Sequence, residues 1–318
     1  MNTLAVVALG GNALLRGDQE GTIDEQEQNT TETLENLVFL LNEGYDLVIT
    51  HGNGPQVGNI LMRNEAGEQV YGIPPMPVDI CVADSQGGIG YMIERMLRNV
   101  LSKHSIVKEV VTLVTMAEVD KEDPAFSNAK KRIGKIYTEA EAKALESKKG
   151  WLFKEEVKQP VGWRRVVPSP RPVRISNEKV IESLARQGTI VIASGGGGIP
   201  VYIDEKMDVR PAEAVIDKDL ASSLLAARIG ADEFYILTDV PYVYLNFRKE
   251  NERWVEFLDH RDTTRYLKEG QFSEGSMAPK IRACLQFIEQ GGKKSVITEA
   301  TLLDDRKYGT KITMNYED

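Results

Sequence analysis

The stretch THGNGPQVG, Thr50 to Gly58, comes directly after YDLVI, Tyr45 to Ile49. A short apolar run of this kind reads as a strand buried on both faces. The glycines, asparagine and proline at its exit read as a loop turning into a helix. Two other exits look alike: ALGGNAL, Ala8 to Leu14, and ASGGGGIPV, Ala193 to Val201.

Working outward, β-branched runs recur at LAVVALGG, DLVITHG, VKEVVTLVT, TIVIASGGG, EFYILTDV and KKSVIT, and most are almost continuously apolar. Helical periods lie between them. Leu34, Leu37, Val38 and Leu41 form one stripe, with Asn29 as the expected cap supported by Glu32, and Gly44 as the stop. Ile89, Met92, Ile93, Met96, Leu97 and Val100 form a second, and Ile281, Cys284, Leu285 and Ile288, between Pro279 and Gly291, a third. Strands alternating with such helices predict an α/β fold, a mostly parallel central sheet flanked by helices on both faces. In a parallel sheet the carboxyl ends of the strands share one edge, so the three glycine loops converge there. Backbone N–H groups unshielded by Cβ atoms, with helix N-termini behind them, suit a phosphate or carboxylate.

Composition narrows the partners. The chain has 318 residues and a formal net charge of −9, which argues against a general nucleic-acid binder. Cys81 and Cys284 stand far apart with no C-x-x-C spacing, so neither a zinc site nor a disulfide framework is expected, and a reducing cytoplasm fits. The N-terminal MNTLAVVALGG does not read as an export signal, and no apolar run reaches membrane-spanning length. Asn29-Thr30-Thr31 matches a glycosylation acceptor but reads as a helix start.

One region breaks the alternation. From about residue 119 to 172 neither period persists outside the short helical pattern TEAEAKALESKKG, and residues 120–165 hold twelve Lys/Arg against eight Asp/Glu. The bland reading is a solvated flap. The functional reading is a lid that brings cations over an anionic substrate.

Common phosphate fingerprints are missing: there is no G-x-x-x-x-G-K-[ST], and none of the three loops carries G-x-G-x-x-G. HRD, His260 to Asp262, lacks the other marks of a protein kinase and reads as chance. His51, His104 and His260 join no nucleophile in a recognisable triad, and His51 reads as a loop-shaping residue.

Taken in order, VVALGGNALL, VITHGNGPQVGNIL, SQGGIGYM, DPAFSNAKKRIGKIYT, GWRRVVPSPRPV, VIASGGGGIPV, AVIDKDLASSLLA, ILTDVPYVYLNF and GQFSEGSMAPKI span nearly the whole chain. Together they resemble carbamate kinase, in the amino acid kinase superfamily. The resemblance implies reversible phosphoryl transfer between ATP and carbamate, giving ADP and carbamoyl phosphate; Mg²⁺ is expected because phosphates usually bring it, and no carboxylate cluster marks a protein-built metal cage. The resemblance also implies a homodimer and a place in arginine breakdown. Carbamate is already an oxyanion, so the chemistry calls for cations rather than a general base.

By motif match, the resemblance assigns Gly10, Gly11 and Asn12, with Gly52, Asn53 and Gly54, to the transferring phosphoryl group and carbamate. Lys131, Lys218 and Lys280 are the catalytic lysines, with Lys130 as an alternative register for the first, and Asp217 is expected to orient Lys218. Asp239, Tyr244, Met277 and Lys280 are expected at the nucleotide. Acetylglutamate and uridylate kinase relatives usually carry a lysine where this chain has Asn12, so that charge must come from elsewhere. Residues 1–213 are read as a carbamate and phosphoryl lobe bearing the lid, and 214–318 as a nucleotide lobe. Asp84, Gly88 and Arg132 depart from the usual family pattern; Asp84 is expected to face away from the phosphate edge and Arg132 to loosen a hinge that proline would stiffen. Two alternatives stay open: a non-catalytic nucleotide-binding regulator, and a superfamily kinase acting on another carboxylate.

Overall fold

The computed structural model describes residues 2–17, 19–156, 161–303 and 308–316. Strand β1 (Leu4–Leu9) is buried at every position. Its side chains part with the two-residue period of a strand: Leu4, Val6 and Ala8 enter one apolar cluster, while Ala5, Val7 and Leu9 enter another. A strand covered on both faces belongs at the centre of a sheet, and β1 is there.

The eight-stranded sheet runs β15 (Phe257–Asp259), β17 (Thr310–Thr313), β16 (Lys294–Glu299), β12 (Glu233–Thr238), β1, β2 (Asp46–His51), β9 (Ile190–Ile192), β3 (Val110–Thr112). All its pairings are parallel except β16 with β17. Helices α1 (Ile23–Asn42) and α3 (Val78–Lys103) cover one face; α5 (Glu178–Arg186), α6 (Lys218–Arg228) and α8 (Met277–Glu289) cover the other. The six predicted strands and the mostly parallel α/β architecture are present. The sheet is continuous across residue 213: β12 lies against β1 in register from Ala5–Glu233 to Leu9–Leu237.

A second sheet, β11 (Val209–Pro211), β10 (Ile199–Ile203), β4 (Met116–Val119) and β8 (Pro172–Ile175), extends the first-half strands. A two-stranded ribbon, β13 (Val243–Leu245) with β14 (Arg253–Val255), and α7 (His260–Lys268) complete the second half.

Two sequence expectations need correction. Helix α1 starts at Ile23, with Thr22 and Glu25 forming the capping box. Asn29 lies inside the helix, buried, its amide donating to Leu14 O at 3.3 Å and Gln19 Oε1 at 2.6 Å. The capping box T-x-x-E lies one heptad before the N-x-x-E of Asn29 and Glu32 that the apolar stripe suggested. The excursion is not aperiodic either: β5 (Lys131–Tyr137), β7 (Gly162–Val167) and β6 (Leu152–Glu156) make an antiparallel sheet carrying α4 (Glu139–Lys149), with Tyr137, Ala142 and Phe153 as a core of its own. Its strands were hard to read because a register shift between Ile133 and Ile136, with Gly134 at φ +69, breaks the alternation of β5. Val157 to Pro160, within the excursion, lie outside the described residues. The sheet rests on α2 (Gly54–Tyr71), where Ile133 and Val167 share a cluster with Val57, Leu61 and Val215.

Candidate active site

The carboxyl ends of β12, β1 and β2 and the loop after β9 open on one cleft of about 360 Å³. Gly10, Gly11, Gly52, Asn53, Gly54 and Gly196 line it from the first half, and Val215, Ile216, Asp217, Lys218, Asp219, Thr238, Asp239, Gly275, Ser276, Pro279 and Lys280 from the second. Lys131 enters from the excursion.

Two glycines illustrate different needs. A Cβ on Gly10 would stand 2.4 Å from the Leu237 carbonyl oxygen, the acceptor of the Gly10 N–H at 2.9 Å, so this glycine lets β1 and β12 close together. Gly11 has nothing within 4 Å of that position and keeps the cleft wall open to a ligand. Behind the second loop, His51 is 1 % exposed and its Nδ1 donates to the Gly52 carbonyl at 2.8 Å. Burial pulls its pKa down to about 4, with the Lys218 charge adding to the drop, so His51 is neutral and shapes the loop as expected. Asn53, at the cap of α2, is 6 % exposed and donates to Ser85 Oγ at 3.1 Å.

The opposite wall is built by a helix start. Asp217 caps α6, accepting from Asp219 N at 3.0 Å and Leu220 N at 3.3 Å. That leaves Lys218 and Asp219 in the first turn. Asp219 is 4 % exposed and receives Lys218 Nζ on Oδ1 and Lys280 Nζ on Oδ2, the latter at 2.9 Å. Burial raises the Asp219 pKa, but the two ammonium groups outweigh it and hold the carboxyl well below its usual range. Burial lowers the Lys218 pKa, and Asp219 opposes that by favouring the ammonium form. Helices α6 and α8 are pinned by Ser223 Oγ donating to Ala283 O at 2.8 Å, which places Lys280 over α6.

Thus Asp219, not Asp217, is the carboxylate that orients Lys218, and it was missed in the sequence although it is the next residue. The D-x-D spacing at a helix start was the available signal: the first aspartate caps, the second points into the cleft. Asp217 faces Lys131 instead, with Asp217 Oδ2 3.8 Å from Lys131 Nζ. Lys131 lines the cleft and Lys130 does not.

Tyr244 and Met277 are not among the cleft-lining residues: Tyr244 sits on β13 with its ring 6.1 Å from that of Phe247, and Met277 packs against the main core. The backbone of Asn12 lies in the 3-10 turn Gly11–Ala13, and its side chain lies outside the described part of the structure. Asp84 is exposed and lines a separate groove, as does Gly88, so this carboxylate faces away from the phosphate edge as expected. Arg132 pairs with Glu156 at 3.2 Å and donates to Glu155 O at 3.2 Å, both on β6.

Glycine loops and two lysines paired through Asp219 thus line one cleft at the carboxyl edge of a parallel sheet, an arrangement suited to phosphate. The amino acid kinase family model matches residues 3–299, and the chain belongs to that family of phosphotransferases. Within it the chain belongs with the carbamate kinases. It is 47% identical over 311 residues to the carbamate kinase of Pyrococcus horikoshii, covering 97% of this chain and 98% of that one, and 43% identical over 316 residues to that of Trichomonas vaginalis, covering 98% and 99%. The solved carbamate kinase of Giardia lamblia bound to AMP-PNP superposes with a TM-score of 0.92 at 40% identity, covering 98% of both chains.

Proposed function

We propose that this chain catalyses reversible phosphoryl transfer between ATP and carbamate, giving ADP and carbamoyl phosphate. The observation that carries the reading is the Lys218–Asp219–Lys280 triad facing the glycine loops across one cleft. In the transfer, negative charge spreads over the equatorial oxygens of the migrating group, and donors fixed in advance stabilise it. The N–H groups of Gly11 and Gly54 approach from one side. Lys218, held under Gly52, and Lys280 approach from the other, and Asp219 accepts from both and aims them. Lys131 supplies the cation on the excursion side, toward carbamate. Tyr244 and Met277 have no assigned role here.

No base is required, since carbamate attacks as an oxyanion, and neutral His51 is occupied with Gly52. Three lysines and three aspartates line the cleft, so its own charge does not neutralise a nucleotide's phosphates. Among the described residues no group of three His, Cys, Asp or Glu forms a metal cage. Mg²⁺ would arrive on the phosphates, and Asp239, which lines the cleft, would hold it through water. When bound, that ion neutralises phosphate charge.

The AMP-PNP complex of the Giardia lamblia relative supports ATP as the nucleotide. The family resemblance supports two functional lobes meeting at the cleft, a moving excursion, a homodimer, a cytoplasmic setting and service in arginine breakdown. The test is ATP formation from ADP and carbamoyl phosphate in a coupled assay. Turnover with that pair is expected; turnover only with another acyl phosphate would reassign the acceptor, and nucleotide binding without turnover would leave a regulator.

A further inference from the structure

We propose that Gln86, which lines no part of the cleft, is a positioning residue for phosphoryl transfer: it fixes the glycine loop after β9 and, through that loop, the Asn53 side chain. The proposal rests on the reaction assigned above.

Gln86 lies on α3 and is 2 % exposed. Its Nε2 donates to Thr115 O at 3.0 Å and to Gly195 O at 2.8 Å, and its Oε1 accepts from Thr115 N at 2.8 Å. Only this amide orientation works, because the reverse would set the carbonyl oxygen against two acceptors and the NH₂ group against a donor. A buried amide with every bond placed is a rigid clamp, and losing one partner strands the others.

The clamped loop needs such a hold. Ser194 has φ +52 and Gly196, Gly197 and Gly198 have φ between +63 and +92. A non-glycine residue in that region persists only where its surroundings determine it, and such positions gather at functional sites. Here Ser194 N donates to Thr115 Oγ1 at 3.1 Å, on the same residue that Gln86 grips. The loop then presses on the second glycine loop. A Cβ on Gly195 would meet His51 Nε2 at 2.4 Å, and one on Gly196 would meet the Asn53 amide nitrogen at 2.3 Å. Asn53 is caught between Gly196 and Ser85, and Ser85 is the residue before Gln86. Adjacent residues of one helix therefore hold two cleft loops: Ser85 holds Asn53, and Gln86 holds the loop packed against it.

A clamp of this kind acts on the transition state more than on nucleotide affinity, because Lys280, Thr238 and Asp239 lie on the far wall. Two variants test it. Gln86→Glu keeps the volume but replaces both N–H donors by acceptors; Thr115→Val leaves the Gln86 bonds and removes the hydroxyl that accepts from Ser194 N and donates to Leu113 O at 2.8 Å. The measurements are kcat and KM for each substrate in the direction of ATP formation, ADP affinity by calorimetry, and the thermal midpoint. For Gln86→Glu the expected result is a fall in kcat of about 10-fold or more, with ADP affinity within about twofold of wild type. Thr115→Val should show a smaller fall in kcat with the same ADP affinity. A folded Gln86→Glu protein with wild-type kcat, or one losing kcat and ADP affinity in equal proportion, would overturn the proposal. If Gln86→Glu does not fold, the Thr115→Val result decides on the same terms. Variant-to-wild-type ratios can be taken with whichever acyl phosphate the wild type uses, so a wrong acceptor assignment shows in the wild type alone.

Discussion

Lys280 donates through Nζ to Asp219 Oδ2 at 2.9 Å, and that bond ties the start of α8 to the start of α6. Because Lys218 holds the other oxygen, removing the carboxylate leaves two ammonium groups facing each other in a mostly buried wall. Breaking a buried ion cluster by deleting one member typically costs ~3–5 kcal/mol. Asp219→Ala should lower unfolding stability by that order in urea titrations, and saturating ADP should recover part of it as phosphate oxygens take the carboxylate's place. Stability within about 0.5 kcal/mol of wild type would mean the bridge is not what holds the two helices in register.

Lys218 has a different signature. Its side chain is 14% exposed and passes beneath Gly52, with Cδ 3.2 Å from the point where a Cβ would stand on that glycine. Removing one preorganised donor usually lowers kcat by roughly 10² to 10³. Lys218→Ala should do so with little change in KM for ADP, because the loss falls on the charge that develops during transfer. An unchanged kcat would remove Lys218 from the chemistry.

The neighbouring glycines of the first loop separate packing from ligand access. Gly10→Ala puts a methyl carbon onto a backbone carbonyl that cannot give way, so the thermal midpoint should fall by several degrees and activity with it. Gly11→Ala meets no protein atom and should leave the midpoint within about a degree while raising KM, since its methyl projects into the cleft. Equal midpoints in the two variants would contradict the packing of β1 against β12.

Much of this was legible in the chain itself. Buried strands such as LAVVAL advertise themselves because both faces are apolar, and their glycine-rich exits mark the sheet edge. What stayed hidden depended on distance through space rather than along the chain. The spacing of IDKDLA marks its first aspartate as a helix cap, but nothing in it says that the second bridges two lysines until α8 delivers Lys280 from sixty-one residues away. Gln86 lies inside SQGGIGYM, but that motif gives a helical glutamine no role, and the role appears only when Thr115 and Gly195 are seen around it. The basic excess of the excursion also misled in part. Lys149 pairs with Glu68, Arg165 with Glu213 and Arg132 with Glu156, so Lys131 is the excursion cation that lines the cleft among the described residues.

That last point gives Lys131 a sharp test. It is 39% exposed and 3.8 Å from Asp217, a loose pair that a substrate anion can displace. Lys131→Met should lower kcat/KM for carbamoyl phosphate by about 10² and leave ADP affinity within about twofold, measured by calorimetry. A matching loss of ADP affinity would place this lysine with the nucleotide instead of the acyl group.

His51 makes the pH dependence of stability predictable in sign. Its pKa in the fold is about 4, against an ordinary value of 6.5, chiefly because the imidazole is buried. Between those values the unfolded chain takes up a proton that the folded chain refuses, so stability rises with pH across the window and is lost as pH falls from about 6.5 toward 4. The full difference corresponds to about 3 kcal/mol of folding free energy by pH 4. Asp219 does not blur the measurement, because its carboxyl stays ionised in the fold to well below that window and its unfolded counterpart begins to protonate only near the lower end. His51→Asn keeps a donor for the Gly52 carbonyl but cannot titrate. Urea unfolding at pH 7 and pH 5 should therefore show a smaller loss in His51→Asn than in wild type, by about 2 kcal/mol. Identical losses in the two proteins would mean that His51 is protonated in the fold, and its place as a neutral brace under the second glycine loop would fall with it.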